Sequence, residues 1–252
     1  MIIKMLILFL LPAMILAGEG FVDLAPGETE MMHFQLVTFE PGYSKADNEL
    51  VIQITDEVRP SLILTQTIDM KEQETKIVTV EKYVAETFEL IESKTYLQFP
   101  PEAVEKIGAE SLEISARPEN GKLIIKSNFP TIPPAEIEMG EDLYTGIGSM
   151  VLARGRDFEL DKAYRYRQIN LVNISGEAFI PVDVVDSVVS VDEFVTTPLG
   201  EYECYKVLKI LPDLAAFTYY TRDKMIPVLV EAYNRETGQM SMNITINGYY
   251  RK

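Results

Sequence analysis

The chain has 252 residues, 47% of them hydrophobic and 25% charged, which is the make-up of a folded protein rather than a disordered or fibrous one. Its 39 Asp and Glu against 23 Lys and Arg give a net charge of −16, a field that repels phosphate backbones and excludes nucleic acid as a natural partner. With one His and one Cys, multi-Cys and multi-His metal sites and an intrachain disulfide are ruled out, and any Ser/His triad would have to use His33.

Met1 to Ala17 reads as a secretory signal peptide: Lys4, then an uncharged apolar run, then the small residues Gly18 and Gly20, with cleavage after Ala17 or as late as Gly20. A membrane anchor is the alternative. The run from Met5 to Ala17, however, spans only roughly 20 Å of the ~30 Å hydrocarbon core. A bacterial lipoprotein would need a Cys at the cleavage point, and Cys204 is far downstream. The expectation is a protein free in the periplasm or outside the cell, with no transmembrane segment after the leader.

His33 lies in MMHFQLV, at the start of the first strand after the leader, where it is expected to be structural or superficial. No serine occupies a GxSxG context to make it catalytic. Period-2 alternation then dominates. Leu50 to Thr55, Ser61 to Ile68, Thr75 to Val84, Thr87 to Ile91 and Thr95 to Phe99 are short, rich in β-branched and aromatic residues, and separated by charged or Pro-containing breaks. Pro101 to Gly108 predicts a short helix, with Pro at the first turn, Val104 and Ile107 on one side and a Gly stop. Leu112 to Ala116 and Leu123 to Ser127 flank Asn120-Gly121, a pair suited to the positive φ angles of a tight hairpin.

Phe129 to Asp142 has three prolines and four carboxylates and reads as a loop or linker. Strands of the same character resume beyond it, so residues 18–252 are expected to form one domain. Leu143, Ile147, Met150 and Val151 fall at helical spacing, with Asp142 as the cap, predicting a helix over Leu143 to Leu152 that lies on the sheet. Further strands are predicted at Lys162 to Val172, Gly176 to Val185, Ser187 to Val195, Glu201 to Ile210, Ala215 to Thr221, Val228 to Tyr233 and Gln239 to Gly248, a spacing typical of antiparallel meanders.

Between Arg154 and Arg167 five cations gather among three acids. Alternation puts Tyr164 and Tyr166 on one strand face and Arg165 and Arg167 on the other. Guanidinium forks could hold an anionic group there, or pair with neighbouring carboxylates. Two acidic groups, Glu136, Glu138, Glu141 and Asp142, and Asp183, Asp186, Asp192 and Glu193, lack the spacing of a calcium loop and read as solvated carboxylates. Cys204 reads as an inert thiol on a strand. Asn173 and Asn243 fit glycosylation acceptors, relevant only in a host that glycosylates.

From about residue 142 to 252 the order of features becomes specific: a short helix ending at Arg154, a basic alternating strand from Tyr164, and then Thr197-Pro198-Leu199-Gly200-Glu201-Tyr202-Glu203-Cys204 running on to Val207. This resembles the signature of a bacterial exported family, the domain of unknown function 3108, as does Tyr219-Tyr220 followed by Ile226-Pro227-Val228. The resemblance implies one strongly curved antiparallel sheet, a half-barrel, with one or two short helices packed in or near its concave face, similar to periplasmic lipoprotein and lipid carriers. Alternation alone allows a sandwich or a barrel. The chain departs from the family in lacking Trp, with Tyr219 or Tyr220 in its place.

The expectation is therefore a mainly β, non-enzymatic exported protein without cofactor or metal. Its concave face either binds a hydrophobic or lipid-like ligand or lipoprotein, or is filled by its own helix in a structural or protein-interaction role in the envelope. Candidate ligand contacts are Leu143, Ile147, Met150, Val151, Tyr164, Tyr166 and Tyr219, and candidate anion contacts are Arg154, Arg165 and Arg167. A hydrolase is disfavoured because sugar sites stack their substrates on aromatic rings and Trp is absent. An outer-membrane barrel is disfavoured because charges such as Glu81-Lys82 and Glu89 to Lys94 interrupt both faces of several strands.

Overall fold

The structure, a computed structural model, describes residues 22–39, 43–140, 142–171 and 179–252. The leader, Glu141 and the Asn173 acceptor lie outside the described residues. The first half of the chain supplies β1 (Thr29–Thr38), β2 (Ser44–Ile54), β3 (Ser61–Met70), β4 (Thr75–Val84), β5 (Leu90–Gln98), α1 (Pro101–Ile107), β6 (Ser111–Glu119), β7 (Lys122–Ser127) and β8 (Ala135–Glu138). The second half supplies β9 (Leu143–Thr145), α2 (Gly146–Leu152), β10 (Ala163–Ile169), β11 (Val182–Thr197), β12 (Gly200–Ile210), β13 (Leu214–Thr221), β14 (Pro227–Asn234) and β15 (Met240–Arg251).

All of these strands belong to one sheet, ordered β8-β7-β6-β5-β4-β3-β2-β1-β15-β14-β13-β12-β11-β10-β9 and not closed into a barrel. Every neighbouring pair is antiparallel except β9 with β10. The first and last strands lie side by side in the middle of the sheet. The two edges, β8 and β9, are consecutive in the chain, joined by residues 139–142. That short bridge decides the shape. Five Cα steps reach at most about 19 Å, whereas fifteen strands laid flat would hold their edges about 67 Å apart. The sheet must curl until its edges face each other across a seam. Leu143 and Ile169, at one edge, accordingly share a buried cluster with Leu112, Ile114, Leu123 and Ile125 near the other.

Strand alternation sends one side of β2 to β7 into the concavity. The cross-strand row Ile52, Leu64, Glu81, Ser93, Ala116 and Ile125 runs across six strands with every member 1% exposed or less. Against this wall sits α2: Ile147, Val151 and Leu152 join Met32, Leu50, Ile52, Leu64 and Tyr83 in the main core. Each fully buried aliphatic side chain contributes about 1.5–3 kcal/mol, so the helix fills the concave face rather than resting beside it.

Turn chemistry explains the local order. Asn120 and Gly121 both take positive φ, 53° and 79°, and close the β6–β7 hairpin with Glu119 opposite Lys122. Thr197 pairs with Gly200 around Pro198-Leu199 to close β11–β12. Pro227 opens β14 next to a register shift in β13, where a missing N–H costs no ladder bond. Gly108 ends α1 in the left-handed region at φ 74°.

Several elements differ from the sequence expectation. The helix begins at Gly146, not Leu143, because Leu143–Thr145 is extended and pairs in parallel with Arg167–Ile169. Thr145, not Asp142, caps it, its hydroxyl accepting from the Gly148 N–H at 3.1 Å. The proline-rich segment contains β8, Leu90–Gln98 is one strand where two pieces were expected, and Val182–Thr197 is one long strand that absorbs two register shifts. No helix among the described residues is long and apolar enough to cross a membrane.

Candidate functional site

Where α2 meets β4 the concave face carries a buried polar cluster. There Glu81, on the inner side of the strand, accepts hydrogen bonds from the Tyr83 hydroxyl at 2.7 Å and the Thr145 hydroxyl at 2.6 Å, both on Oε2, while Ser93 reaches Oε1 at 3.5 Å. Thr145 and Tyr83 also touch each other at 2.8 Å. Burial pushes the Glu81 pKa above the usual carboxylate value, and the hydroxyls of Thr145 and Tyr83 oppose that rise. Burial beside Glu81 also pushes the Tyr83 phenol well up. The glycine at 148 is a steric requirement: a Cβ there would lie 2.2 Å from the Tyr83 oxygen.

Two further polar attachments fix the helix. Lys209 donates to the Ser149 hydroxyl at 3.1 Å, and desolvation lowers the pKa of its ammonium. Immediately after α2, Arg154 forms a two-pronged ion pair with Glu30 of β1, both side chains under 10% exposed, and the Tyr249 hydroxyl donates to the same carboxylate at 2.9 Å. Arg156 pairs with Asp186 at 2.7 Å, and the Tyr166 hydroxyl donates to that carboxylate at 2.9 Å. A cleft of about 470 Å³ surrounds Arg154 and Arg156, but its Lys224 and Arg251 are balanced by Asp23, Glu30, Asp157 and Asp223.

A cavity lies at the seam. About 620 Å³ is enclosed between the β4–β5 turn with Phe88 and Leu90, the tip of the β6–β7 hairpin, and the edge formed by Met139, Leu143, Tyr144 and Ile169. Tyr83 and Thr145 stand at its inner end, so the polar cluster that anchors α2 also forms part of the cavity wall. Phe88 stacks on Tyr83 with ring centroids 4.4 Å apart, and Tyr144 meets Tyr166 edge to face at 5.9 Å. Largely apolar walls with a few polar groups are what a small-molecule pocket requires.

The predicted residues divide among these places. Leu143 lines the seam cavity. Ile147 and Val151 are in the core, and Met150 is half-buried against it. Tyr166 is buried on Asp186, and Tyr164 donates to the Asp157 carbonyl at 2.6 Å under the Arg156 guanidinium. Tyr219 is buried elsewhere in the main cluster and donates to Glu231 at 2.9 Å. Among the candidate anion contacts, Arg154 is paired with Glu30 and Arg167 with Asp142 at 3.0 Å, while Arg165 is exposed. The two acidic groups do not converge. Asp186 is buried on Arg156, Asp192 pairs with Arg222, Glu136 and Glu138 share Lys122, and no metal-holding group occurs among the described residues. His33 sits beside Glu49 at 3.4 Å, partly exposed, with Tyr250 edge-on. Cys204 is fully buried, and burial pushes its thiol up to about 11.

Sequence reasoning missed Glu81, Tyr83 and Thr145 as a unit, and missed Phe88, Leu90 and Tyr144 as a wall. The usable signal was Thr79-x-Glu81-x-Tyr83, an alternating polar row opposite Val78 and Val80. It points inward because Tyr83 on the same strand and Thr145, from an element 64 residues away, both donate to Glu81.

In fold, the chain is similar to the crystal structure of a β-barrel-like protein of domain of unknown function 1849 from Brucella abortus, with TM-score 0.53, 13% identity, and coverage of 92% of this chain and 99% of that one. A protein from Bacteroides fragilis, described as exported and YmcC-like in fold, matches at 13% identity over 92% of this chain and 100% of its own, but its TM-score of 0.33 carries no weight for the fold. No family model matches the chain, and no curated protein matches it by sequence.

Proposed function

We propose that this chain is an exported, non-enzymatic carrier that takes an amphiphile into the seam between its two sheet edges. The observation that carries the reading is the cavity of about 620 Å³ walled by Phe88, Leu90, Leu123, Leu143, Tyr144 and Ile169. A ligand there needs apolar surface and a few polar contacts rather than reactive groups, in keeping with one His and an inert buried Cys204. The apolar leader supports export to the periplasm or beyond, and the Thr197-Pro198-x-Gly200 signature supports kinship with domain of unknown function 3108, with residues 18–252 acting as one unit.

The ligand position differs from the centre of the concave face. Ile147 and Val151 occupy that centre themselves, which also favours a second reading, an envelope protein whose filled concavity is purely structural. One experiment separates them. The neutral dye N-phenyl-1-naphthylamine is titrated into the periplasmically expressed protein and into Met139→Trp, a half-buried wall position where the larger ring fills the cavity. Saturable dye fluorescence that is weakened at least about tenfold by Met139→Trp supports the carrier. Absent binding, or binding indifferent to the substitution, supports the structural reading.

A further inference from the structure

Three features of the seam cavity bear on the chemistry of its occupant. At the inner end, the Tyr83 and Thr145 hydroxyls both donate to Glu81 Oε2, at 2.7 and 2.6 Å, and Thr145 Oγ1 also accepts from the Gly148 N–H. The two oxygens also lie 2.8 Å apart, so their hydrogen-bonding capacity is used within the cluster, and the inner end offers a ligand apolar surface and no cation. At the mouth stand Glu89 and Glu119, both exposed, and no Lys or Arg is among the lining residues. The nearby cations are engaged elsewhere: Arg167 with Asp142, and Lys122 with Glu136 and Glu138.

We infer that the seam cavity selects amphiphiles whose polar end donates hydrogen bonds and bears no negative charge, such as a polyol ester or an amine, and rejects fatty acids and anionic phospholipids. This inference rests on the carrier reading above and adds the class of head group. An ammonium or a glycerol hydroxyl meets carboxylate acceptors at the mouth, Glu89 and Glu119. A carboxylate head meets two like charges at the mouth and no lining cation to pair with, in a protein whose net charge of −16 adds to the repulsion.

The test uses three compounds with the same hydrocarbon chain, monolaurin, dodecylamine and laurate, each displacing N-phenyl-1-naphthylamine at neutral pH below its micelle-forming concentration. The expected result is displacement by monolaurin and dodecylamine at concentrations at least about tenfold lower than laurate, with the E89Q/E119Q double variant narrowing the gap between dodecylamine and laurate severalfold. Dye binding that Met139→Trp weakens, combined with laurate displacing as well as monolaurin, would overturn the head-group selection and leave the carrier standing. A dodecylamine–laurate gap unchanged in E89Q/E119Q would likewise overturn it. Dye binding that is absent or untouched by Met139→Trp would overturn both.

Discussion

Gly148→Ala is a substitution whose sign alone is informative. In an unobstructed helix interior, Ala in place of Gly stabilises by about 1 kcal/mol. Here the new Cβ would stand 2.2 Å from the Tyr83 oxygen and 2.8 Å from Thr145 Oγ1, so something must move by more than 1 Å, roughly, to restore contact distance. If Tyr83 withdraws, it abandons a hydrogen bond to a buried carboxylate, about 1.5–3 kcal/mol. If α2 withdraws, overpacking strain of about 1–3 kcal/mol spreads through Ile147 and Val151. Set against the helix gain, either route leaves a net destabilisation of up to about 2 kcal/mol, a fall of up to about 8 °C in the unfolding midpoint for a chain of this size. Tyr83→Phe removes the obstructing oxygen and costs its own hydrogen bond, so the double variant should be about 2 kcal/mol more stable than the two single effects added together. Urea unfolding followed by far-ultraviolet circular dichroism reads all four proteins. A Gly148→Ala variant that is more stable than wild type, or effects that add within about 0.5 kcal/mol, would refute the close packing of α2 on β4.

Other substitutions probe the remaining anchors. Arg154→Ala leaves Glu30 buried without its counter-charge and should cost about 3–5 kcal/mol in the same urea assay, far more than the loss of an exposed pair such as Lys71–Asp47. For Glu81, the folded-state pKa is raised by burial, so the stability tied to its protonation is fully present below about 4.5 and is lost as pH rises through the folded value. Compared with Glu81→Gln, which cannot titrate, wild type should therefore gain relative stability as pH falls from neutral toward 4.5; a pH-independent difference would contradict the buried carboxylate. Cys204 should resist a soluble thiol reagent in native buffer at neutral pH and react fully in denaturant, because it is buried and its thiol is pushed up to about 11. Stoichiometric modification within minutes in native buffer would disprove its burial.

Much of the sheet was legible because each strand and turn is specified locally. Asn120-Gly121 fixes one hairpin, Thr197 to Gly200 another, and the β-branched alternation of Ile52-x-Ile54 or Leu62-x-Leu64 already marks an inward face. What was hidden depended on partners far along the chain. Leu143 and Ile147 stand four residues apart and mimic a helical stripe, yet Leu143 pairs with Arg167 on a strand while only Ile147 lies on the helix. Glu81 reads as a charge interrupting a strand face. Instead it is buried at 1% exposure while Val80, its apolar neighbour, faces solvent, an inversion that only the hydroxyls of Tyr83 and Thr145 make affordable. The seam was equally invisible, since its two walls meet only because 139–142 links the sheet's opposite edges. The arginines of the 154–167 segment could be recognised as a basic strip, but whether they were free depended on Glu30 and Asp142, which local patterning does not place beside them.

The most direct measurement is photolabelling with a diazirine-bearing monoacylglycerol, followed by peptide mapping of the labelled protein. Labels concentrated within residues 87–90, 118–123, 139–140 and 143–145 are the predicted result, because those stretches line the seam while α2 occupies the hollow of the sheet. Labels concentrated on 147–151 and the facing side chains of β1 to β3 would show instead that the hollow opens to ligand and that the helix is no plug.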